Sequence, residues 1–403
     1  VRRLVGLWVA WLVLIGGVNL ASPLYHVYAA RFGFSPLALT AIFSTYAIVL
    51  VPALVLFGRL SDRFGRRPVL VSGLATACLG LILFSSAQGE VWLFAARAVQ
   101  GLAVAMVSGP ATAALVELDP DGNRRRAALG AGLAQTLGSA LGPIFAGVLA
   151  EFAAYPLQLS YLVVLVVTVA AAIVVLRLPQ RSDGGREPWR PQWPRVPGEI
   201  RRPFLRVALT GGVGWAAISL YLSIVPSYAS SLLHTRALAL LAAVATTALL
   251  ASSAAQSLAA RQSGSRRRDQ ALGCVLVAVG LGGLIVAGQL GSFAVLLAGA
   301  LVAGAGQGLS FLTAQEELND LAPDERRGEV TAAFIAVTYA CVAGFVIASG
   351  LLALPLSLQG AVEAVAASLI VVALGTASWH AATPRAAAPR RRAAAPRSAA
   401  ARR

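Results

Sequence analysis

The stretch GRLSDRFGRRPVL, residues 58–70, concentrates five charged side chains (Arg59, Asp62, Arg63, Arg66 and Arg67) in thirteen residues, with a nearly charge-free apolar run on each side. Outward from it, the same alternation continues to both ends of the chain. Apolar blocks recur over 4–28, 37–57, 68–87, 91–115, 127–150, 157–177, 205–232, 237–260, 270–290, 292–315, 329–352 and 359–380. Each is about twenty residues long, the length that crosses a hydrocarbon core of about 30 Å as a helix. The blocks are too long and too uniformly apolar for the alternating strands of a membrane barrel, so helices are the expected spanning form. Composition agrees: 58% of the 403 residues are hydrophobic and 12% charged, against about 25% charged in a soluble domain. The expected fold class is an all-α integral membrane protein with twelve transmembrane helices. The first block, preceded by Arg2 and Arg3, imitates a signal peptide, but eleven further spans argue against cleavage.

The formal net charge is +16, and all 33 basic residues are Arg. With the N-terminus placed in the cytoplasm, 30 of the 33 fall on cytoplasmic segments, Arg31 and Arg236 lie outside, and Arg97 lies within a helix. This positive-inside bias puts both termini in the cytoplasm of a multi-pass cell (inner) membrane protein. Charge confined to membrane-flanking loops argues against a nucleic-acid partner. Cys78, Cys274 and Cys341 sit inside apolar blocks and read as small buried hydrophobes, with neither disulfide framework nor metal spacing. The chain has no Lys for a Walker-type phosphate loop and no HExxH or GxSxG, so neither an enzyme nor a cofactor is expected.

The segment RLPQRSDGGREPWRPQWPRVPGEIRRPF, rich in Pro, Gly and Arg, divides six blocks from six. The expected organisation is an N-terminal half over 1–176, a cytoplasmic loop over 177–204, a C-terminal half over 205–380, and a basic, disordered tail over 381–403. The halves are faintly self-similar. VQGLA at 99–103 recurs as GQGLS at 306–310, and ELDPDGNRRRAA at 117–128 is echoed by DLAPDERRGEV at 320–330. Repeats in this order point to two pseudo-symmetric six-helix halves around a central pathway.

In the opening stretch, Gly58 and Asp62 share a helix face, Gly65 permits the reversal into the third span, and Arg63, Arg66 and Arg67 hold the loop at the inner surface. A carboxylate there suits the positive N-terminal end of a neighbouring helix, so Asp62 is a candidate latch between halves. The stretch closely resembles the loop 2-3 signature of the major facilitator superfamily. RAVQGLAVA at 97–105 is similar to that family's helix 4 signature at Arg97, Gln100 and Gly101. LGSALGPIFAG at 137–147, with Gly138, Gly142 and Pro143, resembles the signature of its antiporters. The second half departs from the pattern, with Arg261 where the first has Asp62 and Gly304 where it has Arg97. Only the first half is therefore expected to carry the latch and a buried cation.

The resemblance implies the major facilitator fold and secondary transport by alternating access, with a small-molecule substrate, protons as coupling ion, the bilayer as surroundings and a monomer as working unit. The helix 5 stretch favours proton-coupled export of small amphipathic compounds or metabolites. The alternatives are an uptake carrier for a small nutrient such as a sugar or organic acid and a non-transporting membrane sensor. No carboxylate lies mid-span, which leaves His26, or Arg97 partnered by Glu117 or Asp62, as coupling candidates. For the substrate cavity the candidates are the midspan residues Asn19, Tyr46, Arg97, Gln135, Trp215, Tyr221, Gln307 and Tyr339. A pocket with so few charges suits a neutral or amphipathic cargo.

Overall fold

Long apolar stretches without charge leave the backbone no partner but itself, and each of the twelve blocks becomes a helix. The computed structural model describes residues 2–57, 60–121, 123–179, 194–233, 237–261, 265–323 and 326–382, without the side chains of 62, 124, 125, 128, 232 and 233. Gly58, the Asp62 side chain, most of the central loop and all of the tail past Ala382 lie outside those residues. The spans are α1 (Arg2–Phe32), α2 (Pro36–Phe57), α3 (Arg66–Ser85), α4 (Glu90–Leu118), α5 (Arg124–Phe152) and α6 (Leu159–Leu176). They continue as α7 (Arg201–Ser223), α8 (Leu238–Ala259), α9 (Arg266–Leu290), α10 (Phe293–Leu321), α11 (Arg327–Leu352) and α12 (Leu358–Ala382). A short helix, Leu60–Phe64, leads into α3.

Packing repeats across the chain. Within the first half α1 packs on α5 and α6, and α4 on α2 and α3; within the second α7 packs on α11 and α12, and α10 on α8 and α9. Two further contacts, α5 with α8 and α2 with α11, join the halves and are themselves exchanged by the same pseudo-two-fold relation.

Two spans expected to be continuous are broken at matching places. α1 is interrupted after Asn19 by a turn of 3-10 helix, Ser22–Leu24, containing Pro23, before Tyr25–Phe32 resumes. α7 stops at Ser223 and is followed by Val225–Leu233, with Pro226 in the first turn. Proline has no N–H to continue the ladder. Elsewhere helix outruns the apolar block: α10 ends at Leu321 rather than near 315, carrying Glu316 and Glu317 in its last turns. Glu, Gln and Leu are good helix formers, and arginines on neighbouring elements receive those carboxylates.

Arg66, Arg126, Arg206, Arg266 and Arg326 all lie at one end of the bundle, called the basic end here. At the far end a single apolar cluster runs through both halves, from Leu20, Leu24 and Tyr25 to Leu222, Ile224 and Val225. Toward the basic end the buried apolar residues, among those described, form two clusters, one drawn from the first half, around Leu7, Leu70 and Leu115, and one from the second, around Phe204, Ala314 and Phe334. Half-buried Ile335 touches both. The halves are thus fused at the far end and separately cored at the basic end.

Candidate functional site

Arg97 and Gln100, one helical turn apart on α4, point the same way. The Arg97 guanidinium is 2% exposed. It donates through Nη1 to the Val18 carbonyl at 2.9 Å and to Gln100 Oε1 at 3.0 Å, and through Nη2 to the Phe43 carbonyl at 3.3 Å. It also lies 5.0 Å from the Phe43 ring centroid and 5.1 Å from that of Tyr46. Gln100 Nε2 donates to the Gly17 carbonyl at 3.3 Å. At Gly101 a Cβ would sit 2.7 Å from the Tyr46 carbonyl oxygen, so only glycine lets α2 pass this close. The stretch therefore ties α4 to α1 and α2. Neither Glu117 nor any other described carboxylate pairs with Arg97; Glu117 is taken by Arg66 Nε at 3.3 Å.

Tyr46 also reaches the other half. Its hydroxyl lies 3.3 Å from that of Tyr339 on α11, with ring centroids 5.8 Å apart and edge-on. The structure thus gathers Arg97, Tyr46 and Tyr339 into one connected group at the seam. Asn19 stands nearby on α1, donating to the Ile15 carbonyl at 3.0 Å and to Ser139 Oγ on α5 at 3.2 Å. Gly138 and Gly142 face the α1 backbone around Leu12 and Gly16, and Pro143 lies within the same helix, so this stretch forms the α1–α5 contact. Gln135 is half-buried on α5 beside Thr136, whose Oγ1 accepts from Ser253 Oγ of α8 at 2.7 Å.

In the second half Gln307 is fully buried and accepts from Ser252 Oγ at 2.5 Å, and Gln256 Nε2 donates to that Ser252 oxygen at 3.2 Å. Trp215 is half-buried on α7 and meets Phe311 edge-on at 5.6 Å. Tyr221 stands apart from the seam: fully buried, it directs its hydroxyl to the Gly280 carbonyl of α9 at 3.4 Å. His26 lies half-buried at the far end.

Of the loop stretch, Gly65 has φ +88°, a left-handed value that favours glycine, and it caps α3. Arg66 donates to Ser61 Oγ at 2.7 Å, Arg63 is exposed with its guanidinium 5.3 Å from the Phe64 ring, and Arg67 is half-buried. Arg66 with Glu117 has a counterpart in the second half, where Arg266 pairs with Asp320 and, at 3.3 Å, with Glu316.

One expectation is corrected. The second half does hold a buried cation: Arg206, second residue of the 205–232 block and counted by sequence with the cytoplasmic arginines, is 2% exposed and pairs with Glu317 Oε1 at 2.5 Å. Gln270 Nε2 donates to the other Glu317 oxygen at 2.7 Å, and Arg267 lies 3.9 Å away. His380 Nε2 meets Thr210 Oγ1 at 2.8 Å one turn along α7 from Arg206. The available signal was a lone Arg leading one apolar block and a Glu trailing another. A linear hydropathy reading sets Arg206 at the very edge of its block and Glu317 just beyond its own, so neither stands out as buried.

The same order of stitched helices extends beyond this chain. Residues 7–348 match the family model described as Major Facilitator Superfamily. The chain belongs to the Major Facilitator Superfamily. Similar superfamily proteins include the cephamycin export protein CmcT of Amycolatopsis lactamdurans, 34% identical over 187 residues, which cover 46% of this chain and 37% of that protein. A triacylglyceride transporter of Mycobacteroides abscessus is 33% identical over 211 residues, 50% of this chain and 38% of its own. The multidrug efflux pump LfrA of Mycolicibacterium smegmatis is 38% identical over 122 residues, 29% of this chain and 24% of its own. The matches thus span between about a quarter and two fifths of those curated relatives' own length. Among solved structures, a POT family transporter in complex with 5-aminolevulinic acid superposes with a TM-score of 0.75 at 14% identity, covering 94% of this chain and 96% of that one. The human organic anion transporter MFSD10 superposes at 0.67 with 15% identity, covering 93% and 99%. At such identities the superpositions speak for the fold alone.

Proposed function

We propose that this protein is a secondary active transporter that exports small amphipathic compounds in exchange for protons. The observation that carries the reading is the unequal joining of its halves: one apolar cluster at the far end, a separate core in each half at the basic end. Two rigid halves joined at one end form one of the two arrangements that alternating access requires. The distribution of Arg supports a basic end and termini on the cytoplasmic side of the cell membrane; on that reading the arrangement is inward-facing, and we take the monomer as the working unit. Arg97, Tyr46 and Tyr339, with Asn19 and Gln135 on one side and Trp215 and Gln307 on the other, line the cargo's route. Glu317, 12% exposed and held by Arg206, is the carboxylate we assign to the coupling proton. Relatives named for cephamycin export and multidrug efflux favour export over uptake. Asp62 acts as the latch that holds the inner loops together when the basic end closes.

The test is accumulation of a fluorescent amphipathic cation in pump-deficient bacteria making the protein, with and without a protonophore. The expected result is lowered dye, restored by the protonophore and by Asp62→Asn at matched expression. Unchanged dye removes this cargo class, and normal efflux by a well-folded Asp62→Asn variant removes the latch.

A further inference from the structure

At the basic end of the first half, the starts of α1 and α3, the end of α4 and the two residues past Arg177 enclose a cavity of about 600 Å³. Four arginines line it: Arg2, Arg3, Arg66 and Arg67. Two carboxylates also line it, and both are already engaged. Glu117 receives Arg66 at 3.3 Å. Asp119 accepts the Asn123 and Asp121 backbone N–H groups at 3.1 and 2.9 Å and lies 3.6 Å from Arg126. Among the described residues, Arg2, Arg3 and Arg67 have no acidic partner. Three unpaired cations around one cavity attract an anion.

The remaining wall says which kind of anion. Leu70, Leu118 and Leu178 contribute an apolar side. Beside it α3 and α6, which pack together, turn an apolar face outward, with Leu79 49%, Val166 69% and Leu176 42% exposed. A helix face this apolar and this exposed faces lipid chains. The cavity also lies level with the span ends, where α3 begins at Arg66 and α4 stops at Leu118, the depth of the phosphate and glycerol of a bilayer. A free inorganic anion has no use for the apolar wall, whereas a phosphodiester carrying acyl chains matches both surfaces. Basic pockets between spans at a membrane interface are suited to such headgroups.

We infer that this cavity binds the headgroup of an anionic phospholipid, its phosphate held by Arg2, Arg3 and Arg67 and an acyl chain laid along the α3–α6 face. Binding of dioleoyl phosphatidylglycerol, dioleoyl phosphatidylcholine and inorganic phosphate to the purified full chain, followed by native mass spectrometry, tests it. The expected result is phosphatidylglycerol retained at least about tenfold more tightly than phosphatidylcholine, with no retention of inorganic phosphate. The triple variant Arg2→Gln/Arg3→Gln/Arg67→Gln is expected to lower phosphatidylglycerol affinity to that of phosphatidylcholine. A control, Arg31→Gln/Arg261→Gln/Arg268→Gln, removes three exposed arginines away from the cavity and is expected to retain the preference. Should the triple variant melt below the parent, Arg3→Gln, an exposed position, carries the test with a loss of about twofold or more. Equal retention of both lipids, equal loss in the control, or phosphate bound as tightly as phosphatidylglycerol each overturns the assignment.

Discussion

Arg97 and Arg206 are both 2% exposed, yet they are stabilised in opposite ways. Arg97 has carbonyls, an amide oxygen and two aromatic faces; Arg206 has a carboxylate. Replacing Arg97 by Gln abandons the Val18 and Phe43 carbonyls in a dry site, and hydrogen bonds from a charged donor are worth about 2 kcal/mol. Arg97→Gln is expected to lose stability of that order, read as a lower melting temperature in detergent, and to lose efflux. Arg97→Lys behaves alike, because an ammonium cannot reproduce the planar fork. At Glu317 the expectation is a cycle. Glu317→Gln leaves Arg206 buried without its partner and costs about 3 kcal/mol, and Arg206→Gln/Glu317→Gln recovers part of the loss. A double variant no more stable than Glu317→Gln would contradict a paired role. Under the coupling assignment, Glu317→Gln also stops protonophore-sensitive efflux while one-for-one cargo exchange persists.

The elements meet at the far end through backbone groups that sequence patterns leave open. Pro226 has no N–H for the Leu222 carbonyl four residues back, and the Ser22 hydroxyl, at the break in α1, donates to that oxygen across the seam. Glu151, at the end of α5, accepts the Ala239 N–H in the first turn of α8 at 2.9 Å, a carboxylate at the positive end of a helix in the other half. It is the same kind of contact as the one expected of Asp62, whose side chain lies outside the described residues. Ser22→Ala/Glu151→Gln is expected to weaken far-end closure by about 1 kcal/mol or more, roughly a fivefold shift in population, visible as a longer spin-label distance there. At the α4–α5 turn, Asp119 accepts the Asn123 and Asp121 amides and faces Arg126, which together hold its carboxyl below the usual carboxylate range. A carboxyl with a lowered folded-state pKa adds stability at pH above its unfolded value, and the contribution disappears as pH falls through the lowered value. Hydrogen-exchange protection of the Asp121 and Asn123 amides is therefore expected to survive at about pH 4, near the unperturbed Asp value, and to fail below it. Asp119→Asn is expected to abolish that pH dependence.

For the whole molecule, the expectation is that the two ends move in opposition. In a chain cleared of Cys78, Cys274 and Cys341, labels at Arg63 and Arg268 report the basic end and labels at Val91 and Leu290 the far end. Conditions that shorten the first distance are expected to lengthen the second. Both distances changing in the same direction would rule out rocking. The fold at this scale was largely legible beforehand: twelve spans and two halves follow from composition and spacing, the family resemblance singled out the glycines at 101, 138 and 142, and the structure shows a neighbouring backbone against each of them. Legibility was uneven in the candidate site. Arg97 was visible because a cation inside an apolar block is conspicuous, and Arg206 was not, because it sits where the block begins. Tyr221 looked like Tyr46 in sequence, and only packing turns one into the second half and the other onto the seam.

What the sequence by itself determined is the solvent and the order of the elements. Apolar blocks of bilayer length must become helices, since backbone polar groups in lipid have no other partner, and the dense Arg loops mark one end of the bundle. What only the tertiary structure decided is which polar groups from distant helices satisfy one another and at which end the halves meet. Ser22 with Leu222, Glu151 with Ala239 and Arg206 with Glu317 join residues 88 to 200 positions apart. A local pattern carries no record of such distances, because each bond forms only after packing has removed water from both partners.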